Sequence, residues 1–197
     1  MIKVLVAFKR RFPGAWRLVE RANGFLFRLR YREIERIAET VLEEVRVDGC
    51  RFSLLQKEAL PELERFLTGQ DEGNLTWFRP HAFDRTTLER LFRNPAFLMM
   101  TVTAPDGSMA GYFFLRCFFV GRAFAGLIVD RPWQNQGIGT SIWAACAEIC
   151  QYSSLRMQAT VSTENKPSLV SCRKGTDIQE MRVLDDHYLA LECKKKG

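Results

Sequence analysis

The stretch AFAGLIVDRPWQNQGIGTSIWAACAEI, from Ala123 to Ile149, decides the fold. It begins as an apolar run that predicts a strand, turns at Asp130, and passes through two glycines into an apolar-faced helix. The first turn of a helix has N–H groups without intrahelical partners, and its dipole favours negative charge. A strand, glycine turn and helix in this order therefore predict an anion site that suits a diphosphate.

Two common diphosphate motifs do not match this loop. A nucleotide P-loop requires Gly-x-x-x-x-Gly-Lys-Ser/Thr, and the chain has no such lysine here. A dinucleotide fold needs three glycines near the start of a parallel unit, whereas this loop has two and comes late. Gln134-x-x-Gly137-x-Gly139 after a strand instead resembles the acyl-CoA loop of the GNAT superfamily of N-acyltransferases. The order of elements from about residue 51 to residue 194 is similar to that superfamily as well.

The resemblance implies acetyl-CoA as co-substrate and no metal. In the family, the loop amides bind the coenzyme A pyrophosphate and the preceding strand edge binds the pantetheine arm. An Asn after the next strand commonly bonds the pantetheine, and Asn165 matches that position. The implied coenzyme A residues are Ile128, Val129, Gln134, Asn135, Gln136, Gly137, Ile138, Gly139, Thr140, Asn165 and Ser168.

The general acid is the main departure from the family pattern. Many members carry a tyrosine seven residues beyond that Asn, and here the count reaches Cys172. A thiol is able to protonate a thiolate, but a lone cysteine is more often a buried packing residue. Ser168 and Ser171 are alternatives for the acid.

His81 is the first candidate for the general base, because imidazole titrates near neutrality and lies in an aromatic loop. In the family, the region that corresponds to this loop forms one wall of the acceptor site. A capping or packing role for His81 is an equal alternative. Asp130 and Glu164 follow predicted strands and are candidates for a base acting through water, although Asp130 equally suits the turn.

The predicted fold is α/β with a mixed, largely antiparallel sheet and helices on both faces. The resemblance implies a central splayed parallel pair, formed by the strand ending at Val129 and the strand 156–162. We expect a GNAT-like N-acetyltransferase domain at residues 51–197 and a basic amphipathic helical extension at residues 1–50.

The extension carries most of the positive charge. Residues 1–36 hold ten Lys/Arg and three acids, a net charge of +7, although the whole chain has a net charge of only +6. An apolar stripe with helical spacing runs through Ala15, Leu18, Ala22, Phe25 and Leu29. The arm therefore packs on its own domain, forms a homodimer contact, or lies on an anionic membrane surface through residues 1–32. Trp16, Phe25 and Phe27 would suit the membrane alternative; no nucleic-acid motif accompanies the charge, so nucleic acid is not expected as a partner.

Composition limits the remaining classes. The six cysteines form no Cys-x-x-Cys pair and there are only two histidines, so a zinc site is not expected. No signal peptide and no apolar run of membrane-spanning length are evident, which predicts a cytoplasmic protein, peripheral at the inner face of the membrane if the arm binds lipid.

The favoured function is transfer of an acetyl group from acetyl-CoA to a primary amine of a small acceptor, directly within a ternary complex. Residues 77–83 and 111–116 resemble, more weakly, GNAT-like proteins encoded with bacterial surface-polysaccharide genes. That resemblance implies an amino sugar or sugar nucleotide as acceptor. The alternatives are an acyl-CoA-binding protein without catalysis, and a membrane- or partner-docking protein acting through its basic helix.

Overall fold

The computed structural model describes residues 13–185 and 187–197, and it has an α/β fold. Its helices are α1 (Pro13–Arg30), α2 (Ile34–Glu44), α3 (Leu60–Thr68), α4 (Glu72–Leu75), α5 (Arg85–Phe92), α6 (Ile138–Tyr152) and α7 (Lys166–Gly175). Its strands are β1 (Arg51–Leu54), β2 (Phe97–Thr103), β3 (Met109–Phe118), β4 (Arg122–Val129), β5 (Arg156–Ser162), β6 (Thr176–Asp185) and β7 (Tyr188–Lys195). Short 3-10 turns cover Lys57–Ala59 and Arg131–Trp133.

The seven strands form one mixed sheet in the order β1-β2-β3-β4-β5-β7-β6. All neighbours are antiparallel except β4 and β5, which are parallel. β4 pairs with β3 along its whole length, from Arg122 to Val129, but with β5 only from Arg122 to Phe124. The two parallel strands therefore separate after Phe124 and leave a gap in the middle of the sheet, which confirms the predicted mixed fold with its splayed pair.

The main core lies between one face of the sheet and helices α2 and α6. Alternate residues of β3, such as Phe113 and Leu115, are fully buried on this face. The helix α6 is apolar nearly all round and buries eight of its side chains, including Trp143 and Ile149. Cys146 and Cys150 of α6 are buried here as small apolar groups, and burial raises the pKa of both thiols.

A second apolar cluster covers the other face of β2 and β3. It is built from Leu60, Leu63 and Leu67 of α3, Leu88 of α5 and a set of aromatic side chains from the sheet and the α4–α5 loop. Asp84 begins α5 as its N-cap, since its side chain accepts a hydrogen bond from the N–H of Thr87 at 2.9 Å. The α4–α5 loop contributes Phe78 and Phe83 to this cover.

The described part of the N-terminal extension packs on the body of the chain. Ile34, Ala38, Val41 and Leu42 of α2 belong to the main core. Phe27 of α1 is also fully buried and stacks on Tyr31, with 4.7 Å between ring centroids. The expectation that Phe27 suits a membrane surface is therefore wrong, because this ring faces the protein interior. Residues 1–12, and the side chain of Trp16, lie outside the described residues.

Candidate active site

A cleft with a volume of about 520 Å³ opens where β4 ends and α6 and α7 begin. Nine residues that the sequence assigned to coenzyme A line it together: Ile128, Val129, Gln134, Asn135, Gly137, Gly139, Thr140, Asn165 and Ser168. Two others do not. Gln136 turns its amide to the carbonyl of Pro132 at 2.9 Å, and the side chain of Ile138 is buried in the core.

The loop before α6 has the backbone geometry of a cradle. Gly137 is the N-cap of α6 with φ +86°, and Asn135 also has a positive φ of 61°. Glycine adopts this left-handed conformation without strain. A Cβ on Gly137 would meet no atom within 4 Å, so open space lies beside this backbone. The first N–H groups of α6 have no intrahelical acceptors, and they lie at the cleft where an anion would be stabilised by the helix dipole.

The charges around the cleft favour an anionic ligand. Among the described residues that line it, Arg131 and Lys174 are basic and none is Asp or Glu. Arg131 is held in place by Asp71, with Nε 3.2 Å from the carboxylate. The amides, the helix dipole and the two cations fit the diphosphate of coenzyme A.

The opposite wall of the cleft is the start of α7. Asn165 is the N-cap of this helix, and its Oδ1 accepts a hydrogen bond from the N–H of Ser168 at 3.2 Å. Asn165 contributes to both the cleft and the gap. The end of α7 is set by Gly175, because a Cβ there would lie 2.3 Å from the carbonyl oxygen of Thr140. This close approach of α7 to α6 fixes the width of the cleft.

The gap between β4 and β5 contains a smaller cavity of about 80 Å³ that continues the cleft. Gly126 and Leu127 of β4 line one side, and Thr160 and Val161 of β5 line the other. Trp77, Phe78 and Tyr188 add aromatic rings to its lining. The two cavities share Trp77, Phe78, Leu127, Asn165 and Ser168, so the gap cavity opens directly off the cleft.

Peptide groups of β4 that do not pair with β3 face this gap. The N–H of Asp130 donates to the carbonyl of Ala110 on the β3 side at 2.8 Å. Because peptide groups alternate along a strand, those of Leu127 and Val129 point to the other edge, where β5 has diverged. The carbonyl of Val129 accordingly accepts bonds from side chains outside β3. The N–H of Leu127 is therefore available to polarise a thioester carbonyl in the gap.

Amide side chains tie the coenzyme loop to the segment that leads to the aromatic wall. Asn74 and Gln134 both donate to the carbonyl of Val129, at 3.1 and 3.0 Å, and Gln134 also donates to Asn74 at 3.0 Å. Gln70 donates to the carboxylate of Asp130 at 2.9 Å. Asp130 is thus engaged at the turn, where it also accepts the N–H of Arg131, and it lies outside both cavities.

His81 lies beside the gap but does not line it. Its ring packs among Phe83, Phe97, Tyr112 and Phe114, with centroid distances of 5.8 to 6.1 Å. Its Nδ1 is 2.9 Å from the carbonyl of Ala82 and its Nε2 is 3.3 Å from the hydroxyl of Tyr112. Burial lowers the pKa of His81, which favours the neutral form of the ring. These contacts fit a packing role.

Cys172 and Glu164 lie away from both cavities. The thiol of Cys172 is fully buried, 3.7 Å from the sulfur of Cys193 and 3.5 Å from the hydroxyl of Thr176. Its neighbours on α7 that do line the cleft are Ser168 and Ser171. Glu164 is exposed in the turn before α7. The structure therefore brings most of the predicted coenzyme residues together, with the alternative acids Ser168 and Ser171 among the cleft residues, but leaves His81, Cys172, Asp130 and Glu164 outside the cavities.

Several lining residues were not predicted from the sequence: Asn74, Leu127, Trp143 and Tyr188. Tyr188 has the only titratable side chain among the described residues of the gap cavity. It is opposite Ser162 in the β5–β7 register, which brings it to the end of the gap. Strand pairing between distant parts of the chain produces this position, and no local pattern around Tyr188 signals it.

The cleft and its loop match a known family. A model of the acetyltransferase (GNAT) family matches residues 60–170, more than half of the chain. The chain belongs to the GNAT family. It is therefore an acyl-CoA-dependent acetyltransferase, with acetyl-CoA as co-substrate. Comparison with curated proteins finds no significant match.

Solved structures of low identity share the fold. The GNAT domain of S. lividans PAT is 13% identical with a TM-score of 0.61, over 73% of this chain and 89% of that one. Mycobacterium smegmatis RimJ, in complex with CoA-disulfide, is 18% identical with a TM-score of 0.59, over 75% and 83%. AAC(6')-Ib, in complex with paromomycin and acetyl-CoA, is 12% identical with a TM-score of 0.58, over 76% and 94%. These likenesses show the fold, and none of them shows the surface-polysaccharide resemblance.

Proposed function

We propose that this GNAT acetyltransferase transfers the acetyl group to the primary amine of a small acceptor, directly within a ternary complex. The gap between β4 and β5 carries the proposal. It opens off a cleft with diphosphate chemistry, and the aromatic rings of Trp77, Phe78 and Tyr188 line it. A thioester in the gap and an amine at Trp77 would meet there, and proximity supplies much of the rate in acyl transfer.

Proton transfer is the second requirement. When the C–N bond forms and the C–S bond breaks, the amine nitrogen loses one proton and the thiolate gains one. Tyr188 is placed to do this, because its phenol is half-exposed at the end of the gap and no other titratable group lines that cavity among the described residues. The phenol gives its proton to the thiolate and regains one from the amine. His81, Cys172, Asp130 and Glu164 have no part in this proposal.

An amino sugar or sugar nucleotide remains the favoured acceptor. The lining of the gap offers the flat rings of Trp77 and Tyr188 and the hydroxyl of Thr160. Aromatic faces bury the apolar face of a sugar ring while hydroxyls bond its polar edge. AAC(6')-Ib, which shares the fold, was solved with the aminoglycoside paromomycin. Arg79 lies nearby in sequence, but its guanidinium is 3.1 Å from Glu72 at the surface.

Calorimetry with acetyl-CoA and a thiol-release assay test the transfer. The panel of acceptors contains glucosamine, its phosphate, a nucleotide-linked amino sugar, an alkylamine and a peptide with a free N-terminus. We expect thiol release with at least one amino sugar, and a higher KM for that acceptor in Trp77→Ala with unchanged acetyl-CoA affinity. Tight acetyl-CoA binding with no thiol release from any amine would refute the proposed transfer.

Tyr188→Phe tests the proton donor, with Tyr152→Phe as matched control. Tyr152 is 55% exposed at the end of α6, its hydroxyl accepts a hydrogen bond from Lys195 at 3.2 Å, and it lies outside both cavities. Loss of a general acid should lower kcat by about 100-fold. Acetyl-CoA affinity should stay unchanged in both variants. A Tyr188→Phe enzyme with the kcat of the control would exclude the phenol as the proton donor.

A cytoplasmic location and peripheral membrane contact through residues 1–32 belong to the same proposal. A homodimer contact is the alternative for that arm, and the domain boundary near residue 50 stays a prediction. Within the described residues, no helix is both long and apolar enough to cross a bilayer. The peripheral contact is supported by the outward face of α1, where apolar and basic side chains are exposed together.

A further inference from the structure

Helix α1 packs on the body through one narrow face. Phe27 is fully buried on this face, and Gly24 lies so close to the α5–β2 loop that a Cβ would be 2.8 Å from Oδ1 of Asn94. Asn23 donates to the carbonyl of Cys117 at 3.0 Å, and Glu20 forms an ion pair with Arg116 at 3.2 Å. These contacts fix which side of α1 faces solvent.

The opposite side of α1 is an apolar ridge. At 3.6 residues per turn, Leu18, Ala22, Phe25 and Leu29 fall in one line on the side away from Phe27. This outer ridge is well exposed: Leu18 is 65% exposed, Phe25 64% and Leu29 49%. A helix on the surface of a soluble domain normally presents polar residues to water. We therefore expect a binding partner to cover the outer ridge.

Basic side chains flank the outer ridge. Arg21 and Arg28 are exposed along one side of it, and Arg30 is exposed on the other. The single acid of α1, Glu20, is turned to the body and paired with Arg116. The twelve preceding residues continue the charge in the sequence, with Lys3, Lys9, Arg10 and Arg11 and no acid.

The β3–β4 turn widens the apolar surface. Phe119 and Val120 in this turn are 41% and 59% exposed. Arg30 donates to the carbonyl of Phe119 at 3.1 Å, and Asn23 accepts the N–H of Phe119 at 3.1 Å. These hydrogen bonds hold the β3–β4 turn against the side of α1 that carries Arg30.

Charge decides which partner fits this surface. A second copy of the chain would bring the same arginines against each other, which opposes a symmetric contact. An anionic bilayer offers phosphates to the arginines and an apolar layer to Leu18, Phe25 and Leu29.

We propose that the outer ridge of α1 lies in the interface of an anionic lipid bilayer, with Phe119 and Val120 beside it and Arg21 and Arg28 at the lipid phosphates. This inference specifies the membrane contact proposed above and does not depend on acetyl transfer. The helix lies parallel to the membrane, and the body of the enzyme stays on the aqueous side because Phe27 and Gly24 hold it to the opposite face of α1.

Co-sedimentation of the full chain with phosphatidylcholine vesicles, with and without phosphatidylglycerol, tests the proposal. We expect binding only to the anionic vesicles, and weaker binding as salt rises. Phe25→Ser/Leu29→Ser should weaken binding at least about tenfold, since two exposed apolar side chains no longer enter the bilayer. Arg21→Gln/Arg28→Gln should weaken it by about fivefold per arginine.

The matched control is Met181→Ser/Val183→Ser, which removes two exposed apolar side chains from β6. It should bind as the unaltered chain does, and all variants should keep their thermal midpoint and acetyl-CoA affinity. Equal binding to neutral and anionic vesicles, or no effect of the ridge substitutions, would overturn the proposal. So would a dimer in light scattering that Phe25→Ser/Leu29→Ser dissociates while no vesicle is bound, because the occupant would then be a second copy.

Discussion

Gly175→Ala should damage both the stability of the chain and its coenzyme site. Gly175 ends α7 where this helix crosses α6, and a Cβ would lie 2.3 Å from the carbonyl oxygen of Thr140 and 3.1 Å from the N–H nitrogen of Ala144. Both contacts are to backbone, which has no rotamer to change. Restoring an ordinary separation requires α7 to move by about 1 Å, and an overpacked contact of this kind costs about 1–3 kcal/mol.

The expected consequence is a lower thermal midpoint and weaker acetyl-CoA binding. For a chain of this size, a loss of about 2 kcal/mol lowers the midpoint by about 4–8 °C. Asn165 and Ser168 move with α7, so the opposite wall of the cleft shifts as well. Differential scanning fluorimetry with and without acetyl-CoA, together with calorimetry, measures both effects.

Gly139→Ala is the matched control. Its Cβ would meet the nearest atoms, on Ser171, at 3.7 Å, which is an ordinary contact. This variant should keep the midpoint of the unaltered chain. If Gly175→Ala also melts within a degree of the unaltered chain and binds acetyl-CoA as tightly, then the packing of α7 on α6 does not set the cleft, and the reasoning fails.

Three further predictions concern the residues singled out in the sequence. Because burial lowers the pKa of His81, its stabilising contribution is present above its ordinary value of 6.5 and is lost as pH falls below it. Urea unfolding at pH 7, 6 and 5 should thus show that the free energy of unfolding falls with pH, and that it falls less in His81→Gln. The same pH dependence in the variant and the unaltered chain would contradict this. Cys172→Ala should retain kcat but lower the thermal midpoint, since the thiol is fully buried outside the cavities. A large fall in kcat would instead indicate that Cys172 is the general acid. Asn165→Ala removes both a helix cap and a cleft donor, so it should cost about 1 kcal/mol of stability and raise the KM for acetyl-CoA, which thermal melts and kinetics measure.

The coenzyme site was predictable because its determinants are local. A strand, two glycines and an amphipathic helix follow one another within Ala123–Ile149, and a short-range pattern determines each of them. Gly137 needs its positive φ, and the helix N-terminus directs its amides outward, whatever the rest of the chain does.

The candidate catalytic side chains were less predictable because their positions depend on how elements face one another. Counting seven residues from Asn165 reaches Cys172, but the orientation of α7 directs Ser168 and Ser171 to the cleft and Cys172 to Cys193. Tyr188 reaches the gap only through the pairing of β7 with β5. In α1, periodicity identified an apolar stripe, but Phe27 on the other side of the helix is the residue that is buried.

The short pairing of β4 with β5 has a consequence for local unfolding. Only Arg122–Phe124 and Arg156–Gln158 join the two halves of the sheet, while β5, β7 and β6 are paired with one another along most of their length. Cooperative units in proteins tend to follow such contiguous hydrogen-bonded blocks. The cleft therefore lies at the boundary between strands β1–β4 and strands β5–β7. Amide hydrogen exchange near this boundary should slow when acetyl-CoA binds across it.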